Sequence, residues 1–142
     1  MRAEERNEEY LFAVVLKRDG KVVGSTSFFG IVLRHKIVEI GYTWYSPDVR
    51  GTAVNPESKF LLLKHAFEEW GAVRVQLRTD ANNTHSQRAI LKLGAKFEGK
   101  LRNQGIRPDG SIRDSMLYSI IPSEWATVRK GLEARIEGFV GS

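Results

Sequence analysis

Short apolar runs separated by turn signals predict β-strands near the start of the chain. Residues 10–16 form a dense apolar run, and Asp19-Gly20 is a two-residue hairpin signal before the β-branched and aromatic segment 21–29. We therefore predict an antiparallel hairpin. Because residues 10–16 are apolar at both parities, we expect this first strand to be covered on both faces.

A third strand is predicted at residues 37–44, after the polar turn Arg34-His35-Lys36. Strict alternation gives it two faces. One face carries Val38, Ile40, Tyr42 and Trp44, and the other carries Glu39, Gly41 and Thr43. Glu39 thus places a carboxylate where a buried strand normally carries valine.

The following segments predict a βαβ unit. Asn55 can cap a helix with Pro56 at its first position, and Gly71 ends the apolar helical stripe. Alternation over residues 73–78 predicts a strand, which runs parallel to the third one if the helix between them is a right-handed crossover. The stripe consists of Phe60, Leu62, Leu63, Ala66, Phe67 and Trp70.

The rest of the chain predicts two helices and a hairpin. A helix covers residues 84–93 and ends at Gly94. The hairpin pairs residues 95–102 with 112–121 around Pro108-Asp109-Gly110. A C-terminal amphipathic helix carries an apolar stripe made of Trp125, Val128, Leu132 and Ile136.

Composition narrows the class of protein. The 142 residues, of which 42% are hydrophobic, suit one domain spanning residues 1–142. The absence of cysteine excludes disulfides, thiolate zinc sites and cysteine nucleophiles, and favours a cytoplasmic location. Residues 1–9 are charged, and no run approaches the roughly 20 apolar residues of a membrane span, so we expect a soluble protein.

The net charge of +5 suits a nucleic acid, an acidic macromolecule or a polyphosphate. The motif Arg50-Gly51-Thr52-Ala53-Val54-Asn55 lies between the end of a strand and the start of a helix, where free amides and the helix dipole can bind phosphate. A simple turn is the alternative. Lys59, Arg88 and Lys92 could surround the same anion or could simply be solvated.

Asn83-Thr84-His85-Ser86 opens the second helix. Taken alone, Asn83 is better explained as an N-cap and Ser86 as a residue of the first turn than as catalytic groups. The three histidines lack metal-ligand spacing, so we predict no metal.

Together, the two helix openings resemble those of GNAT N-acetyltransferases, most of all the branch that acetylates ribosomal-protein N-termini. Residues 50–55 match the family's Arg/Gln-x-x-Gly-x-Gly/Ala loop in Arg50, and Asn83-x-x-Ser86 followed by Leu93-Gly94 matches its later motif. The resemblance implies a GNAT-like α/β fold: a mixed, mostly antiparallel sheet with a parallel βαβ unit and flanking helices.

The resemblance also implies a function, the transfer of an acetyl group from acetyl-CoA to a primary amine without a covalent enzyme intermediate. The acceptor would be a protein N-terminus or a small amine. The implied acetyl-CoA-binding residues are Tyr45, Arg50, Gly51, Thr52, Ala53, Val54, Asn55, Asn83, Ser86 and Arg88.

Three features depart from the family pattern. Ala53 and Asn55 replace a glycine and a glycine or alanine of the loop, which backbone binding tolerates. Ile90 replaces a tyrosine that protonates the leaving thiolate, so that role passes to Ser86 or to water. Nine residues precede Tyr10 where the family places a strand and one or two helices. We therefore expect an N-terminally shortened fold, whose exposed sheet edge could pair in a homodimer.

Glu39 is the candidate general base, acting through water with a pKa raised by burial. A cross-strand ion pair is the equal alternative. An α-amine, with a pKa of about 8, demands less of such a base than a lysine at about 10.4, which favours N-termini or small amines.

Two other functions compete with acetyl transfer. One is a catalytically inactive GNAT-like module for acyl-CoA binding or assembly. The other is an RNA-binding α/β domain, which ranks lower because no strand shows the aromatic pattern of a stacking platform. A serine hydrolase ranks lower still, because the chain has no Gly-x-Ser-x-Gly elbow.

Overall fold

Six strands form one mixed sheet in the computed structural model of the protein, which describes residues 9–140. The strand order is β1-β2-β3-β4-β6-β5; β3 and β4 pair in parallel, and every other neighbouring pair is antiparallel. This arrangement confirms the predicted fold class. The strands are β1 Tyr10–Val15, β2 Val22–Val32, β3 Ile37–Tyr45, β4 Arg74–Asp80, β5 Lys96–Ile106 and β6 Ile112–Ile120.

Three α-helices follow the predicted pattern. They are α1 Val54–Lys64, which continues as a π-helical turn His65–Glu69, α2 Thr84–Leu93 and α3 Pro122–Val140. Gly71 and Gly94, with positive φ values of 75° and 107°, follow the first two helices as the sequence predicted. Among the described helices, none is both long and apolar enough to cross a membrane. The prediction of a charged N-terminal segment concerns residues 1–9, of which only Glu9 is described.

The helices pack on one face of the sheet. The sheet residues of the core cluster stand opposite one another in the strand pairings or are two residues apart along a strand, so their side chains lie on the same face of the sheet. The sheet members are Phe28, Val38, Ile40, Val75, Leu77, Tyr118 and Ile120. The helix members are Leu62, Leu63, Ala66, Ile90, Leu93, Trp125, Val128 and Leu132. This face holds the apolar burial that stabilises the fold.

The opposite face of the central strands is polar. On β4, Gln76 and Arg78 alternate with the core residues Val75 and Leu77. Glu39 of β3 stands directly opposite Gln76 and belongs to this polar face. The sheet therefore separates an apolar core from a layer of paired polar side chains.

The expected burial of the first strand on both faces is wrong. Within residues 9–140, β1 is the end strand of the sheet and pairs with β2. Leu11 is 69% exposed and Phe12 39% exposed. The reason is strand order: the core cluster under the helices draws on β2, β3, β4 and β6 and contains no residue of β1. Sequence parity carries no information about strand order.

The strict alternation expected for β3 is also wrong beyond Gly41. Ser27 pairs with Gly41 and Ser25 with Trp44, so Tyr42 and Thr43 together oppose the single residue Thr26. Tyr42 has a positive φ of 49° at this bulge. Thr43 bonds Thr26 on the helix face, whereas the ring of Tyr42 lies 4.8 Å from that of Phe29, which stands opposite Glu39 on the polar face.

Gly24 of β2 offers a test of the close approach between β2 and the end of β3. A Cβ added there would lie 2.3 Å from the carbonyl oxygen of Trp44 and 2.8 Å from Cδ1 of Tyr45. We expect Gly24→Ala to lower the free energy of unfolding by about 1–3 kcal/mol, because the backbone of β3 must move.

Gly99→Ala is the matched control, since an added Cβ meets nothing within 4 Å there. Urea denaturation of both variants measures the difference. Equal midpoints for the two variants would contradict the close packing at Gly24.

Candidate active site

The N-termini of α1 and α2 lie at the same edge of the sheet. α1 follows β3 and α2 follows β4, and these two strands are parallel neighbours. The carboxyl ends of parallel neighbours share one edge, so the helices that follow them begin there too. Two helix N-termini, each with a positive partial charge, thus meet at one place.

β3 and β4 separate before they reach this edge. Their ladder consists of Ile37–Arg74, Val38–Val75 and Glu39–Gln76. Beyond Glu39, β3 continues to Tyr45 paired with β2, and β4 continues to Asp80 paired with β6. The result is an opening between the two strands, here named the β3–β4 cleft, with Glu39 and Gln76 at its base.

Residues 50–55, here named the anion loop, connect this cleft to α1. Within residues 9–140, the backbone N–H groups of Gly51, Ala53 and Asn55 have no hydrogen-bond acceptor. Gly51 has a positive φ of 76° and open space around its α-carbon, so a ligand can approach the backbone. Free amides at a helix N-terminus form a site for an anion.

The predicted N-cap at Asn55 is wrong, because α1 begins earlier, at Val54 with Ala53 in the cap position. The amide side chain of Asn55 points to β3 instead, where its Oδ1 accepts a 2.8 Å bond from the Tyr45 hydroxyl. Burial raises the pKa of Tyr45, which keeps this hydroxyl a donor at neutral pH. The sequence offered no sign of this contact, because it depends on the packing of α1 against β3.

The cap predicted at the second helix is confirmed. The Asn83 side chain accepts a 3.0 Å bond from the backbone N–H of Ser86. Ser86 is half-buried, and its hydroxyl has no partner among residues 9–140. Arg88 is exposed on the same helix, so α2 offers a hydroxyl and a guanidinium for a ligand.

Glu39 forms the cross-strand ion pair that was the alternative to its role as a base. Its carboxylate is 2% exposed and accepts bonds of 2.6 and 2.8 Å from Arg78 and of 2.7 Å from Gln76 Nε2. Arg78 binds it with two nitrogens in a bidentate arrangement. The polar alternation of β4 was the sequence signal for these partners. The catalytic role of Glu39 stays a prediction.

Asp80, at the carboxyl end of β4, is a further polar residue that the sequence did not single out. Its carboxylate oxygens accept bonds of 2.7 and 2.8 Å from Arg107. The guanidinium holds the pKa of Asp80 well below its usual range. Because Arg107 lies between β5 and β6, this ion pair ties their hairpin to the end of β4 that precedes α2. Within the described residues, no group of three or more His, Cys, Asp or Glu is placed to hold a metal ion.

A splayed parallel pair with helix N-termini at its open end defines an acyl-transferase fold of the GNAT type. Residues 1–96 match the family described as "Acetyltransferase (GNAT) domain", and the chain belongs to this family. Its "GCN5-related N-acetyltransferase" neighbour from Brucella melitensis superposes with a TM-score of 0.85 at 28% identity, over 89% of this chain and 57% of that one.

Two curated relatives come from Bacillus subtilis (strain 168). "Putative ribosomal N-acetyltransferase YdaF" is 29% identical over 107 residues, or 75% of this chain and 57% of YdaF. "Uncharacterized N-acetyltransferase YoaA" is 32% identical over 107 residues, or 74% of this chain and 59% of YoaA. The chain thus spans less than two thirds of the length of these relatives.

Variants that remove either partner of the Glu39–Arg78 pair test whether this ion pair stabilises the fold. We expect Glu39→Gln and Arg78→Met each to lower the free energy of unfolding by about 1–3 kcal/mol, because each leaves a polar partner unmatched. We expect the loss for Arg78→Met to fall in the lower part of this range, because the side chain of Arg78 is 26% exposed.

The double variant should lose less than the sum of the single losses, with a coupling of about 1 kcal/mol or more in urea denaturation. Strict additivity of the two losses would show that the pair is not coupled.

Proposed function

We propose that the protein transfers an acetyl group from acetyl-CoA to a primary amine. The observation that carries this proposal is the set of free amides at Gly51, Ala53 and Asn55, at the open end of the β3–β4 cleft. Family membership supports acetyl transfer in general. The fit of these residues to a polyphosphate supports acetyl-CoA as the donor.

The anion loop would hold the pyrophosphate of acetyl-CoA. Its three free amides supply donors, the α1 dipole adds positive potential, and small side chains at residues 51 and 53 leave the backbone open. Arg50 is exposed and its Nε donates to the carbonyl of Tyr45, which fixes the start of the loop. Arg88 on α2 is an exposed cation for the outer part of the ligand.

Acetyl-CoA supplies an activated thioester when bound. The neutral amine attacks the thioester carbonyl, a C–N bond forms, and the C–S bond breaks. The amine loses one proton to a base, and the leaving thiolate gains one from an acid. No covalent bond to the enzyme is required.

Ser86 is the candidate acid, with water as the alternative. Its hydroxyl has no partner among residues 9–140, so it is free to donate. Ile90 of the same helix is buried in the core, 8% exposed, and has no polar group to offer. Glu39 is the candidate base, acting through water at the base of the cleft.

The acceptor is proposed to be a protein N-terminus or a small amine. YdaF carries the name of a ribosomal N-acetyltransferase, which favours a protein α-amine. An α-amine has a pKa of about 8, so roughly a fifth of it is neutral near physiological pH, far more than of a lysine amine at about 10.4, and the demand on the base is correspondingly smaller.

The same contacts favour a second candidate, a module that binds acyl-CoA without turnover. If Arg78 and Gln76 fully engage the oxygens of Glu39, the β3–β4 cleft has no carboxylate left to act as a general base. This candidate shares the cofactor site with the enzyme and differs only in its rate of acetyl transfer.

Two further proposals concern the cellular location and the oligomeric state of the protein. The lack of cysteine is consistent with a cytoplasmic location. A homodimer is the second of these proposals, formed through β1, the end strand of the sheet that residues 9–140 build.

Calorimetric titration with acetyl-CoA, with CoA and ATP as comparisons, is the first test. We expect saturable binding of acetyl-CoA that is tighter than that of ATP, followed by turnover with N-terminal peptides or small amines. Binding without turnover of any amine would support the second candidate. A folded protein that binds no acetyl-CoA at millimolar concentration would overturn both.

A charge placed in the anion loop tests the position of the phosphates. We expect Ala53→Asp to weaken acetyl-CoA binding by at least about tenfold, because a carboxylate beside the free amides repels phosphate. Ala53→Asn, nearly the same shape without the charge, should retain most of the affinity. Similar titration curves for the two variants would place the phosphates elsewhere.

Glu39→Gln tests the base once an acceptor amine is identified. We expect the catalytic rate to fall by about 10²- to 10⁴-fold, the range that a positioned general base contributes. Acetyl-CoA affinity should change little, because the anion loop is untouched. An unchanged rate would remove Glu39 from the mechanism and leave it the ion pair alone.

A further inference from the structure

Lys59 is a buried cation on α1, next to the anion loop. It lies one turn into the helix, and the residue is 8% exposed. Among residues 9–140, no carboxylate lies within salt-bridge distance of its ammonium group. A buried ammonium without an opposite charge is uncommon, because its desolvation is not offset.

The groups that face Lys59 are neutral oxygens and a ring. Its Nζ donates to Thr43 Oγ1 at 3.4 Å and to Asn55 Oδ1 at 3.3 Å, both long bonds. It lies 5.9 Å from the centre of the Tyr45 ring. All three contacts belong to the end of β3 or the first turn of α1, the two elements that the anion loop connects.

The titratable groups near this site are few. Tyr45 faces Lys59 from β3, and burial raises the pKa of its phenol. Arg50, in the loop, binds the carbonyl of Tyr45 and adds positive charge. The other facing groups, Thr43 with its partner Thr26 from β2 and Asn55 from α1, do not titrate. Burial lowers the pKa of Lys59 to about 8.

We infer that Lys59 is the buried counter-charge for the polyphosphate bound at the anion loop, and that it favours phosphate-bearing ligands without needing to touch them. This inference rests on the proposed function, because it assumes that the ligand is acetyl-CoA. The free protein bears the cost of an unpaired buried charge. A bound polyanion offsets that cost, so part of the binding energy comes from relief of this burial.

A counter-charge role for Lys59 makes the affinity for acetyl-CoA depend on pH. A bound polyanion favours the charged form of Lys59 and raises its pKa above the value of about 8 in the free protein. Affinity is therefore full below about pH 8 and falls as the pH rises through this value. Above it, each binding event takes up part of a proton.

The experiment is calorimetric titration with acetyl-CoA between pH 7.5 and pH 9.5, in two buffers of different ionisation enthalpy. Acetyl-CoA has no free thiol, and its phosphates, with a second pKa of about 6, do not titrate in this range. The variants are Lys59→Met, which keeps the length of the side chain, and Lys64→Met as the control. Lys64 is on the same helix and partly exposed, and each variant removes one lysine from α1.

We expect Lys59→Met to bind acetyl-CoA about ten- to a hundredfold more weakly at pH 7.5, and to lose the proton uptake seen for the unmodified protein at pH 9. Lys64→Met should keep both. The melting temperature of Lys59→Met should rise, because the buried charge is gone and Thr43 and Asn55 keep their bonds to Thr26 and Tyr45. A higher melting temperature with weaker binding separates this effect from misfolding.

Unchanged affinity and unchanged proton uptake in Lys59→Met would overturn this inference and leave the proposed function intact. Weaker binding in both variants to the same degree would also overturn it, since general charge would then explain the loss. Absence of binding by the unmodified protein would overturn the proposed function first, and this inference with it.

Discussion

The parallel pairing of β3 with β4 stops at Glu39 and Gln76, and the candidate site depends on this stop. The bidentate bond from Arg78 holds Glu39 at the last residue pair, so the two strands are joined at the point where they begin to separate. Beyond it each strand keeps its outer neighbour, β2 or β6. The opening is therefore built into a continuous sheet and needs no loop to form it.

The early end of the β3–β4 pairing also explains the position of the helices. Because α1 and α2 leave the diverging ends of two parallel strands, their free N-terminal amides meet across the opening. All three helices then cover one face of the sheet. The carboxylate, guanidinium and amide groups of the central strands are left to pair with one another on the other face.

Most of the fold could be predicted from the sequence because its signals are local. The turn signal at Asp19-Gly20, the helix ends at Gly71 and Gly94, and the alternation of β4 all act within a few residues. The predicted two-residue length of that turn is wrong, because the N–H of Leu16 donates to the carbonyl of Lys21 and the N–H of Gly20 donates to that of Leu16, so residues 17–20 form a four-residue loop. The exposure of β1 was missed, because it depends on the place of β1 in the strand order relative to the helices that cover the sheet. The bulge at Tyr42 and Thr43 was missed too, because it exists only in the register against Thr26.

The candidate site, too, could be predicted where its signals are local and was missed where they are not. The loop at residues 50–55 and the Asn83 cap follow from spacing, since helix N-termini carry local preferences. The partners of Glu39 lie 37 and 39 residues away, and the bond between Tyr45 and Asn55 spans 10. The contact between Lys59 and Thr43 requires the bulge that turns Thr43 towards α1. Such contacts are set by tertiary packing, which no short pattern encodes.

The sheet consists of two antiparallel halves, each nearly contiguous in the chain. β1, β2 and β3 come from residues 10–45, and β4, β5 and β6 from residues 74–120, with the short parallel ladder between them. Contacts within each half close small loops, so we expect the halves to form early in folding and the ladder between them to form later. The boundary between the halves is then where amide hydrogen exchange by partial opening should be easiest, and a molecule bound in the cleft would slow that exchange by bridging both halves.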